Sequence, residues 1–338
     1  MISLRKIPTK PLNKPAPVAA IGIFDGVHRG HQAIFHRTVR RAAAIGGTPT
    51  VITFYPHPLT VLAPQYVPKM LLSVDQRLEY FASCGIRLAL VIPFTRSFSR
   101  WSPETFVRRV LVKRLRVREV VVGHDFGFGA GRAGSVETLK AFGKKFGFRV
   151  HIAPPFRLNG QRIASHRIRA MIQKGRLEQA ARFLGRPVMV VGRVVRGEGR
   201  GEKIGFPTAN IKEVEAGVLP PLGVYAVVAR VDGKGRSYRG MANLGFRPTF
   251  KQKKKRGRFI WGQSSQKEVS RNEASPVLEV NLFSLKQALY GRRLEVAFLK
   301  RLRPERRFSS PQALARQLAR DARRARYYAA LHPSSIMV

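Results

Sequence analysis

The sequence predicts an α/β protein, with an N-terminal doubly wound parallel sheet, then a small antiparallel β-barrel and a C-terminal helix. Two patterns and the length predict this class. Short apolar runs alternate with segments of helical spacing up to about residue 185, and beyond that point the hydrophobic period changes to two. The 338 residues fit two domains, which we place at residues 1–185 and 186–338.

The first domain is predicted to have strands at residues 18–24, 50–54, 88–93, 119–123 and 148–152. Apolar residues recur at helical spacing between them, at residues 31–44, 74–84, 103–114 and 134–146. Strands that alternate with helices form parallel βαβ units, which predicts a Rossmann-like domain. Residues 165–184 are predicted to form two short helices divided at Gly175, and Gly185-Arg186-Pro187 ends that pattern.

The second domain is predicted to have strands at residues 188–195, 224–231, 237–244, 277–283 and 293–299. One helix closes the chain, with Ser309 or Ser310 as its cap and Pro311 in its first turn. Residues 251–276 interrupt the strands with a basic run and then a stretch rich in Gln, Ser and Asn. We interpret them as a mobile basic loop insertion, the alternatives being a localisation signal or an RNA contact.

The chain is strongly basic, with 63 Lys and Arg against 19 Asp and Glu and a net charge of +44. Such an excess indicates polyanionic partners. It is spread evenly, since residues 1–185 hold 31 basic and 8 acidic side chains and residues 186–338 hold 32 and 11. We therefore expect nucleic acid to bind only non-specifically, through surface charge.

Composition excludes several classes of protein. A hydrophobic fraction of 44% with ordinary Gly and Pro counts excludes collagen and a wholly disordered chain. Apolar stretches stay well short of the ~18 residues needed to span a bilayer, so no membrane partner is expected. Cys84 is the only cysteine, so neither an intrachain disulfide nor a cysteine-based zinc site can form, and we expect a cytoplasmic protein.

The segment after the first strand carries two histidines, His28 and His31, with Gly30 between them. Here the carboxyl end of a strand leads into the N-terminus of a helix, which is predicted to begin at or just beyond His31. Free backbone N–H groups and the helix dipole favour a bound anion at such a place. Both imidazoles can turn toward α and β phosphates and stabilise the charge that moves to a leaving pyrophosphate.

The alternative is that His28 and His31 are a turn residue and a cap without chemistry. The surrounding segment, residues 22–31, weighs against that alternative. The chain contains no Gly-x-x-x-x-Gly-Lys-Ser/Thr segment, so a P-loop cannot supply the phosphate site instead. The histidine segment is therefore the candidate phosphate site of the first domain.

This segment, with Tyr55-Pro56-His57-Pro58 after the second strand, resembles the nucleotidyltransferase module of bifunctional riboflavin kinase/FAD synthetases of bacteria. Residues 121–134 resemble that family's Gly-x-Asp-Phe-Arg-Phe-Gly segment, and residues 163–169 its Ser-Ser-Thr-x-Ile-Arg segment. The resemblance implies catalytic roles for His28 and His31. It also implies nucleotide or phosphate binding by Gly22, Phe24, Asp25, Gly26, Gly30, Ser165 and Arg169, and flavin binding by Asp125, Phe126 and Phe128.

Three residues depart from the family's pattern. Gly127 stands where the family has arginine, Ala164 where it has the first serine, and His166 where it has threonine. These segments hold flavin and phosphates in the family, so the departures bear on flavin affinity or efficiency more than on the class of reaction. Two interpretations of Arg169 stay open: it binds a phosphate group, or it is an ordinary surface arginine.

The second domain resembles the family's riboflavin kinase barrel in an independent set of segments, at residues 192–197, 205–210, 223–226, 243–250, 278–283, 290–292 and 302–308. The resemblance implies that Gly205 binds nucleotide and that Arg303 binds flavin. It also implies that Thr208 and Asn210 hold Mg²⁺ together with nucleotide phosphate. Hydroxyl and amide oxygens are hard ligands of the kind that Mg²⁺ prefers.

Glu279 is our candidate for the catalytic base of the kinase reaction. A carboxylate inside an apolar strand is costly unless it has a task or a partner, and accepting the proton of the ribityl 5′-hydroxyl is such a task. The alternative is an outward-facing glutamate on an edge strand, which the alternation of residues leaves open.

The complete pattern implies a bifunctional enzyme of flavin cofactor synthesis. It would phosphorylate riboflavin with ATP to give FMN, and then transfer AMP from ATP to FMN to give FAD and pyrophosphate, with Mg²⁺ as the cofactor of both steps. Two alternatives stay open, namely a chain in which only the kinase module is active and a basic nucleic-acid-binding protein on a relict enzyme scaffold. The oligomeric state is left open as well.

Overall fold

The computed structural model describes residues 1–197, 205–233, 235–246, 276–285 and 287–331. The first of two compact units comprises residues 1–168 and 183–185, and the second comprises residues 169–182 and the described residues from 186 onward. The domain limits 1–185 and 186–338 stay a prediction. The loop insertion predicted at 251–276 lies outside the described residues, apart from Pro276.

A six-stranded parallel sheet forms the centre of the first unit. Its strands are β1 (Ile2–Leu4), β2 (Val18–Ile21), β3 (Pro49–Tyr55), β4 (Leu88–Pro93), β5 (Glu119–Gly123) and β6 (Arg149–Ala153). Their order is β1-β4-β3-β2-β5-β6, and all neighbours are parallel. The chain runs outward from β2 to β3 and β4 and then returns to the other side of β2 at β5. The carboxyl ends of β2 and β5 therefore lie at the switch point, where open α/β sheets bind ligands.

Helices follow the strands of this sheet. They are α1 (Arg29–Ala44), α2 (Pro58–Leu62), α3 (Val74–Ser83), α4 (Arg96–Ser99), α5 (Pro103–Phe106) and α6 (Val136–Phe146). Two further helices come later in the chain, α7 (Ser165–Gln173) and α8 (Leu177–Leu184), and residues 169–182 of them belong to the second unit. After α5 the chain stays helical over Val107–Leu115, with wider i→i+5 hydrogen bonds. Short 3₁₀ turns lie at Pro64–Tyr66 and Ala130–Arg132, and a hairpin of β7 (Arg157–Leu158) and β8 (Gln161–Arg162) follows β6.

The two faces of the sheet have separate cores, because side chains alternate along each strand. Ile21 packs with Leu111 and Leu139, on the side covered by the 103–115 helical segment and α6. Ala20 packs with Phe35 and Phe81, on the side covered by α1 and α3. The sheet is therefore buried on both faces, as expected of a doubly wound fold.

A charge network around the buried carboxylate of Glu119 ties α1 to the sheet. Glu119, the first residue of β5, is 2% exposed. It accepts hydrogen bonds from Arg41 Nε at 2.8 Å and Arg41 Nη2 at 2.6 Å, and His151 Nε2 lies 2.8 Å from its Oε2. The hydrogen bond from Arg41 holds the pKa of Glu119 below its ordinary value, with help from His151 and against the effect of burial.

We expect Glu119→Gln to lower the free energy of unfolding by about 2 kcal/mol near neutral pH, because it removes the charged acceptor of two hydrogen bonds from Arg41. The folded-state pKa of Glu119 lies below the unfolded-state value of roughly 4.3. Its contribution is therefore present above that pH and is lost as the pH falls through the folded-state pKa. Calorimetry of the full chain at neutral pH and at about pH 3 measures both effects.

Glu104→Gln is the matched control for this network. Glu104 pairs with Lys145 at 2.9 Å, but both side chains are exposed, so its loss should change stability little. If Glu119→Gln and Glu104→Gln lower the free energy of unfolding equally, burial of the Glu119 carboxylate does not strengthen its ion pair.

A closed antiparallel barrel lies in the second unit. Its strands are β9 (Val188–Val195), β10 (Ala209–Ala216), β11 (Gly223–Val231), β12 (Ser237–Gly245), β13 (Val277–Leu282) and β14 (Arg293–Arg303). Their order around the barrel is β10-β13-β12-β11-β14-β9, and β9 pairs with β10 to close it. Helix α9 (Pro311–Ala330) packs on the barrel through a stripe of alanines, including Ala322 and Ala325. Ser310 caps this helix, its side chain accepting a hydrogen bond from Ala313 N at 3.1 Å.

The structure confirms the predicted fold class, but it corrects the start of the chain's first βα unit. The first long strand ends at Ile21 rather than at residue 24, and α1 begins at Arg29, two residues before His31. The reason is the backbone of the intervening turn, where Phe24 and Val27 have positive φ angles of 54° and 41°. A strand cannot continue through residues in that conformation.

Four of the described strands were not predicted from the sequence, namely β1, β10 and the two-residue strands β7 and β8. β1 has only three residues. β10 carries charged residues without clean alternation, its sequence being ANIKEVEA, so period-two hydrophobicity does not mark it. In the part of the chain that the structure describes, no helix combines the length and the apolar character needed to cross a membrane.

Candidate active sites

The turn between β2 and α1 has a strained backbone that aromatic packing supports. Phe24 has a left-handed φ of 54°, which costs free energy in a non-glycine residue. Its buried ring packs edge-to-face on Phe35, with centroids 4.8 Å apart, and on His31, with centroids 5.3 Å apart. A Cβ at Gly22 would lie 3.0 Å from the same ring. Gly22 and Phe24 therefore shape the turn.

His28 and His31 lie together at the start of α1. His28 is 5% exposed, and its Nδ1 accepts a hydrogen bond from His31 N at 3.3 Å, which makes it the N-cap. Because Nδ1 accepts, the proton of the neutral ring lies on Nε2, which is then a donor. The two rings stack with centroids 3.6 Å apart, and a Cβ at Gly30 would come within 3.2 Å of the His28 ring. The structure thus brings the predicted pair together.

Asp25 anchors the turn from within the unit. Its Oδ1 accepts a hydrogen bond from Leu71 N at 2.9 Å, and its backbone carbonyl accepts one from Ser165 Oγ at 3.0 Å. Gly26 has a φ of 81°, and a Cβ there would lie 2.6 Å from Leu71 Cδ1, so only glycine fits. Arg169 lies one helical turn beyond Ser165 on α7 and is half-buried; its contact with phosphate stays a prediction.

The predicted flavin segment follows β5, so it begins at the same switch point as the histidine turn. Asp125 is exposed, and its Oδ2 accepts a hydrogen bond from Arg162 Nη2 at 2.6 Å. The rings of Phe126 and Phe128 stack with centroids 5.3 Å apart. Phe128 is buried and Phe126 is half-buried, so these two rings line the end of the strand, and their contact with flavin stays a prediction.

Arg132 occupies the space beside Gly127, where the sequence pattern led us to expect an arginine. A Cβ at Gly127 would lie 2.9 Å from Arg132 Nη2 and 3.0 Å from its Nε. Arg132 Nη2 also lies 3.4 Å from the Asp125 carbonyl, to which it donates. A guanidinium group is therefore present at this segment although residue 127 is glycine.

In the barrel, three polar residues form one row across neighbouring strands. Glu279 of β13 is paired directly with Asn210 of β10 on one side and with Asn243 of β12 on the other. Residues paired in this way project from the same face of a sheet. Asn210 is buried and Glu279 is half-buried. Because β13 has a neighbour on each side, it is not an edge strand, and the role of Glu279 as the catalytic base stays a prediction.

The segment that leads into β10 places Thr208 beside this row. Asn281 Nδ2 donates to the Pro207 carbonyl at 2.6 Å, and Asn210 Nδ2 lies 3.4 Å from the Thr208 carbonyl. Gly205 has a φ of 79°, which favours glycine. Asn281 was not predicted, although its position two residues after Glu279 puts it on the same face of β13.

Glu305 is a second carboxylate near the row, and no sequence motif marks it as a site residue. A Cβ at Gly245 would overlap its carboxylate. The residue as a whole is exposed, but burial of its carboxyl group raises the pKa of Glu305, and the negative charge of Glu279 raises it further. A hydrogen bond from the Asn243 side chain and the charge of Arg303 oppose this shift.

Arg303 has a structural task in addition to its predicted one. Its Nε donates to Asp321 Oδ2 at 2.8 Å, and Asp321 is 0% exposed. Its guanidinium lies 5.5 Å from the centroid of the Phe308 ring. The ion pair ties β14 to α9, a role that the sequence did not indicate. Flavin binding by Arg303 stays a prediction.

Comparison with known protein families identifies two modules in the same order. The family model for FAD synthetase matches residues 10–167, and that for riboflavin kinase matches residues 184–329. A bifunctional riboflavin kinase/FMN adenylyltransferase from Escherichia coli (strain K12) is 37% identical over 312 residues, which is 92% of each chain. A protein of the same description from Bacillus subtilis (strain 168) is 33% identical over 317 residues, which is 93% of each.

A solved structure supports the same grouping at the level of the fold. It is described as a macrolide-efflux protein from Streptococcus pneumoniae and matches with a TM-score of 0.78 and 28% identity, covering 96% of this chain and 98% of that one. The two family matches lie on the parts of the sequence that carry the histidine turn and the Asn210–Glu279–Asn243 row. This chain therefore belongs to the bifunctional riboflavin kinase/FMN adenylyltransferase family.

Proposed function

We propose that the chain makes FAD in two steps. The barrel phosphorylates riboflavin with ATP to give FMN, and the first unit transfers AMP from ATP to FMN, releasing pyrophosphate. The observation that carries this proposal is the presence of two separately built sites in a chain of this family. One is the stacked pair His28 and His31 at the N-terminus of α1, and the other is the polar row centred on Glu279.

In the adenylyl transfer, a phosphate oxygen of FMN attacks the α-phosphorus of ATP, and the bond to pyrophosphate breaks. Nε2 of His28 and the positive end of the helix dipole at the N-terminus of α1 are suited to the negative charge that develops on the leaving pyrophosphate. No covalent bond to the protein is needed. Gly22, Phe24, Asp25, Gly26 and Gly30 act by shaping the turn that presents these groups.

In the kinase reaction, the ribityl 5′-oxygen attacks the γ-phosphorus of ATP, and ADP leaves. Glu279 accepts the hydroxyl proton as this bond forms. Its neighbours in the row, Asn210 and Asn243, are amides that add no competing charge. The half-buried position of Glu279 between them limits the access of water to the base.

Mg²⁺ fits the donors next to this row. Thr208 offers a hydroxyl oxygen and Asn210 an amide oxygen, and Mg²⁺ commonly takes only one or two protein ligands, filling its shell with water and substrate phosphate. When bound, it would neutralise charge on the nucleotide phosphates. We propose that Thr208 and Asn210 hold it in the barrel, that Gly205 contacts the nucleotide there, and that Mg²⁺ serves both steps.

The guanidinium of Arg132 beside Gly127 favours two active modules over the alternative with kinase activity alone, because the segment keeps a cation for an anionic substrate. The relict-scaffold alternative is disfavoured by the intact Glu279 row.

Non-specific binding of nucleic acid and a cytoplasmic location stay predictions. The cytoplasmic location is consistent with a single cysteine.

One experiment tests the proposal. Purified protein is incubated with riboflavin, ATP and Mg²⁺, and the flavins are separated over time. FMN followed by FAD is the expected result. FMN alone would refute adenylyl transfer and leave only the kinase. In a parallel incubation FMN replaces riboflavin, and no conversion of either flavin would refute both activities and favour the relict scaffold.

We expect Thr208→Ala to raise the Mg²⁺ concentration needed for half-maximal FMN formation by at least roughly tenfold, because it removes an oxygen on the metal side of the site and leaves Glu279 in place. A Mg²⁺ titration at saturating riboflavin and ATP measures this. Thr208→Ser keeps the hydroxyl and is the control. An unchanged requirement in Thr208→Ala would remove this residue from the metal site.

A further inference from the structure

A buried arginine behind the phosphate turn has no role in the function described so far. Arg77 lies in α3 and is 2% exposed. Burying a cation destabilises the folded state unless its hydrogen bonds and counter-charges offset the loss of water. Hydrophobic spacing in α3 requires only an apolar residue at such a position, so the arginine needs a separate explanation.

The contacts of Arg77 are directed at the turn after β2. Its Nη1 donates to the Ile23 carbonyl at 2.7 Å and lies 3.3 Å from Thr53 Oγ1. The Thr53 hydroxyl donates to the same Ile23 carbonyl at 3.0 Å. One backbone carbonyl therefore receives two donors from inside the unit, immediately before the left-handed residue Phe24.

The electrostatic surroundings of Arg77 also belong to this turn. Burial lowers the pKa of the Arg77 guanidinium, and the negative charge of the Asp25 carboxylate opposes this shift. Within the described residues, Arg77 Nε has no hydrogen-bond partner. The side-chain hydrogen bonds that Arg77 Nη1 makes are those to Ile23 and Thr53 beside the turn.

The turn needs a rigid support, because it holds left-handed residues. Phe24 and Val27 are both non-glycine residues with positive φ, a conformation that costs free energy in a residue with a Cβ. Asp25 is held by Leu71 N and Ser165 Oγ. Arg77 and Thr53 supply the corresponding support at Ile23, so that both sides of Phe24 are fixed.

We propose that Arg77 is a positioning residue for adenylyl transfer. By holding the Ile23 carbonyl with Thr53, it fixes the turn, and so the direction in which His28 and the N-terminus of α1 meet the phosphates. This inference rests on the proposed adenylyl transfer. In this role Arg77 does not contact substrate. A positioning role differs from a merely structural one because it predicts that replacing Arg77 changes the affinity for phosphate groups.

The reverse reaction gives the sharpest test, because pyrophosphate is a substrate that only the phosphate turn handles. In that reaction an oxygen of pyrophosphate attacks the adenylyl phosphorus of FAD, FMN leaves, and ATP forms. For Arg77→Met we expect the KM for pyrophosphate to rise roughly ten- to a hundredfold, since a misplacement of about 1 Å in a site has effects of this size. Arg77→Lys should restore most of the affinity, and Thr53→Val should raise the KM by a smaller factor.

Two internal controls separate positioning from general stability. Riboflavin phosphorylation by the same preparations should stay at the parental rate. Arg230→Met is the matched control, because Arg230 is a buried arginine of the barrel that pairs with Glu295 at 3.1 Å. It should lower the unfolding temperature of the chain and leave the KM for pyrophosphate unchanged.

The outcomes decide between the two roles. A parental KM for pyrophosphate in Arg77→Met, even with a lower unfolding temperature or a lower amount of active protein, would overturn the proposal. If Arg77→Met does not fold, Thr53→Val provides the test. A raised KM for pyrophosphate in Thr53→Val would support positioning, and a parental KM would refute it. A parent protein that forms FMN but neither makes nor cleaves FAD would refute adenylyl transfer itself, and this inference with it.

Discussion

We expect Glu279→Gln to reduce FMN formation from riboflavin by roughly 10² to 10⁴-fold, the usual cost of losing a general base. The substitution keeps the size of the side chain and its place between Asn210 and Asn243, but an amide cannot accept the hydroxyl proton at neutral pH. Adenylylation of supplied FMN should continue at the parental rate, because the histidine turn belongs to the other unit. Steady-state assays of both reactions on one preparation measure this difference.

Glu213→Gln is the matched control for Glu279→Gln. Glu213 is an exposed glutamate on β10 of the same barrel, and a surface substitution of this kind usually changes stability by less than about 0.5 kcal/mol. Both activities should be unaffected by it. A kinase turnover close to the parental value in Glu279→Gln, at saturating riboflavin and ATP, would mean that another group is the base.

Replacing both His28 and His31 by Ala should reduce FAD formation from FMN by about a hundredfold or more, because losing one pre-organised donor to a developing charge typically costs that much. His28 Nδ1 already accepts from His31 N at 3.3 Å, so Nε2 is the donor that the substitution removes. Riboflavin phosphorylation should be unchanged. FAD production from supplied FMN and FMN production from riboflavin are measured on the same preparation.

Since His28 also caps α1, a folding defect must be separated from a chemical one. His28→Asn keeps a side-chain oxygen that can cap the helix but removes the imidazole, so it should lose FAD formation with a smaller change in unfolding temperature than His28→Ala. His36→Ala, on an exposed position of α1, is the control for loss of a histidine. Near-parental FAD formation in the double variant would show that the phosphates bind elsewhere.

The fold class could be predicted because its signals are local. Apolar periodicity of 3.6 or two marks helices and strands one at a time, and the alternation of the two kinds of element implies parallel pairing. The break at Gly175 and the cap at Ser310 were also visible in the sequence, since both depend on residue types that suit a particular backbone. The helix start at Arg29 could not be predicted, because it depends on the left-handed turn that the packing of Phe24 stabilises.

The residues of the candidate sites also fall into two groups, those that the local sequence reveals and those that it does not. Residues close together in sequence, such as His28 and His31, could be recognised as a pair. Residues that join a site from elsewhere could not: Asn281 supports Pro207, and Arg77 reaches Ile23. Nothing in the local sequence around Asn281 or Arg77 distinguishes them from ordinary polar residues, because their importance lies in a contact made across a long separation in the chain.

By itself, the sequence determined the two-part α/β and barrel architecture, the histidine turn at the end of a strand, and the carboxylate Glu279 in an apolar strand. Only the tertiary structure decided that β13 lies between two strands and that Asn210 and Asn243 flank Glu279. It also decided that Arg132 takes the space beside Gly127. The reason is physical: local sequence sets backbone preference and hydrophobic period, whereas strand register and the packing of distant side chains are chosen by the burial and hydrogen bonding of the whole chain at once.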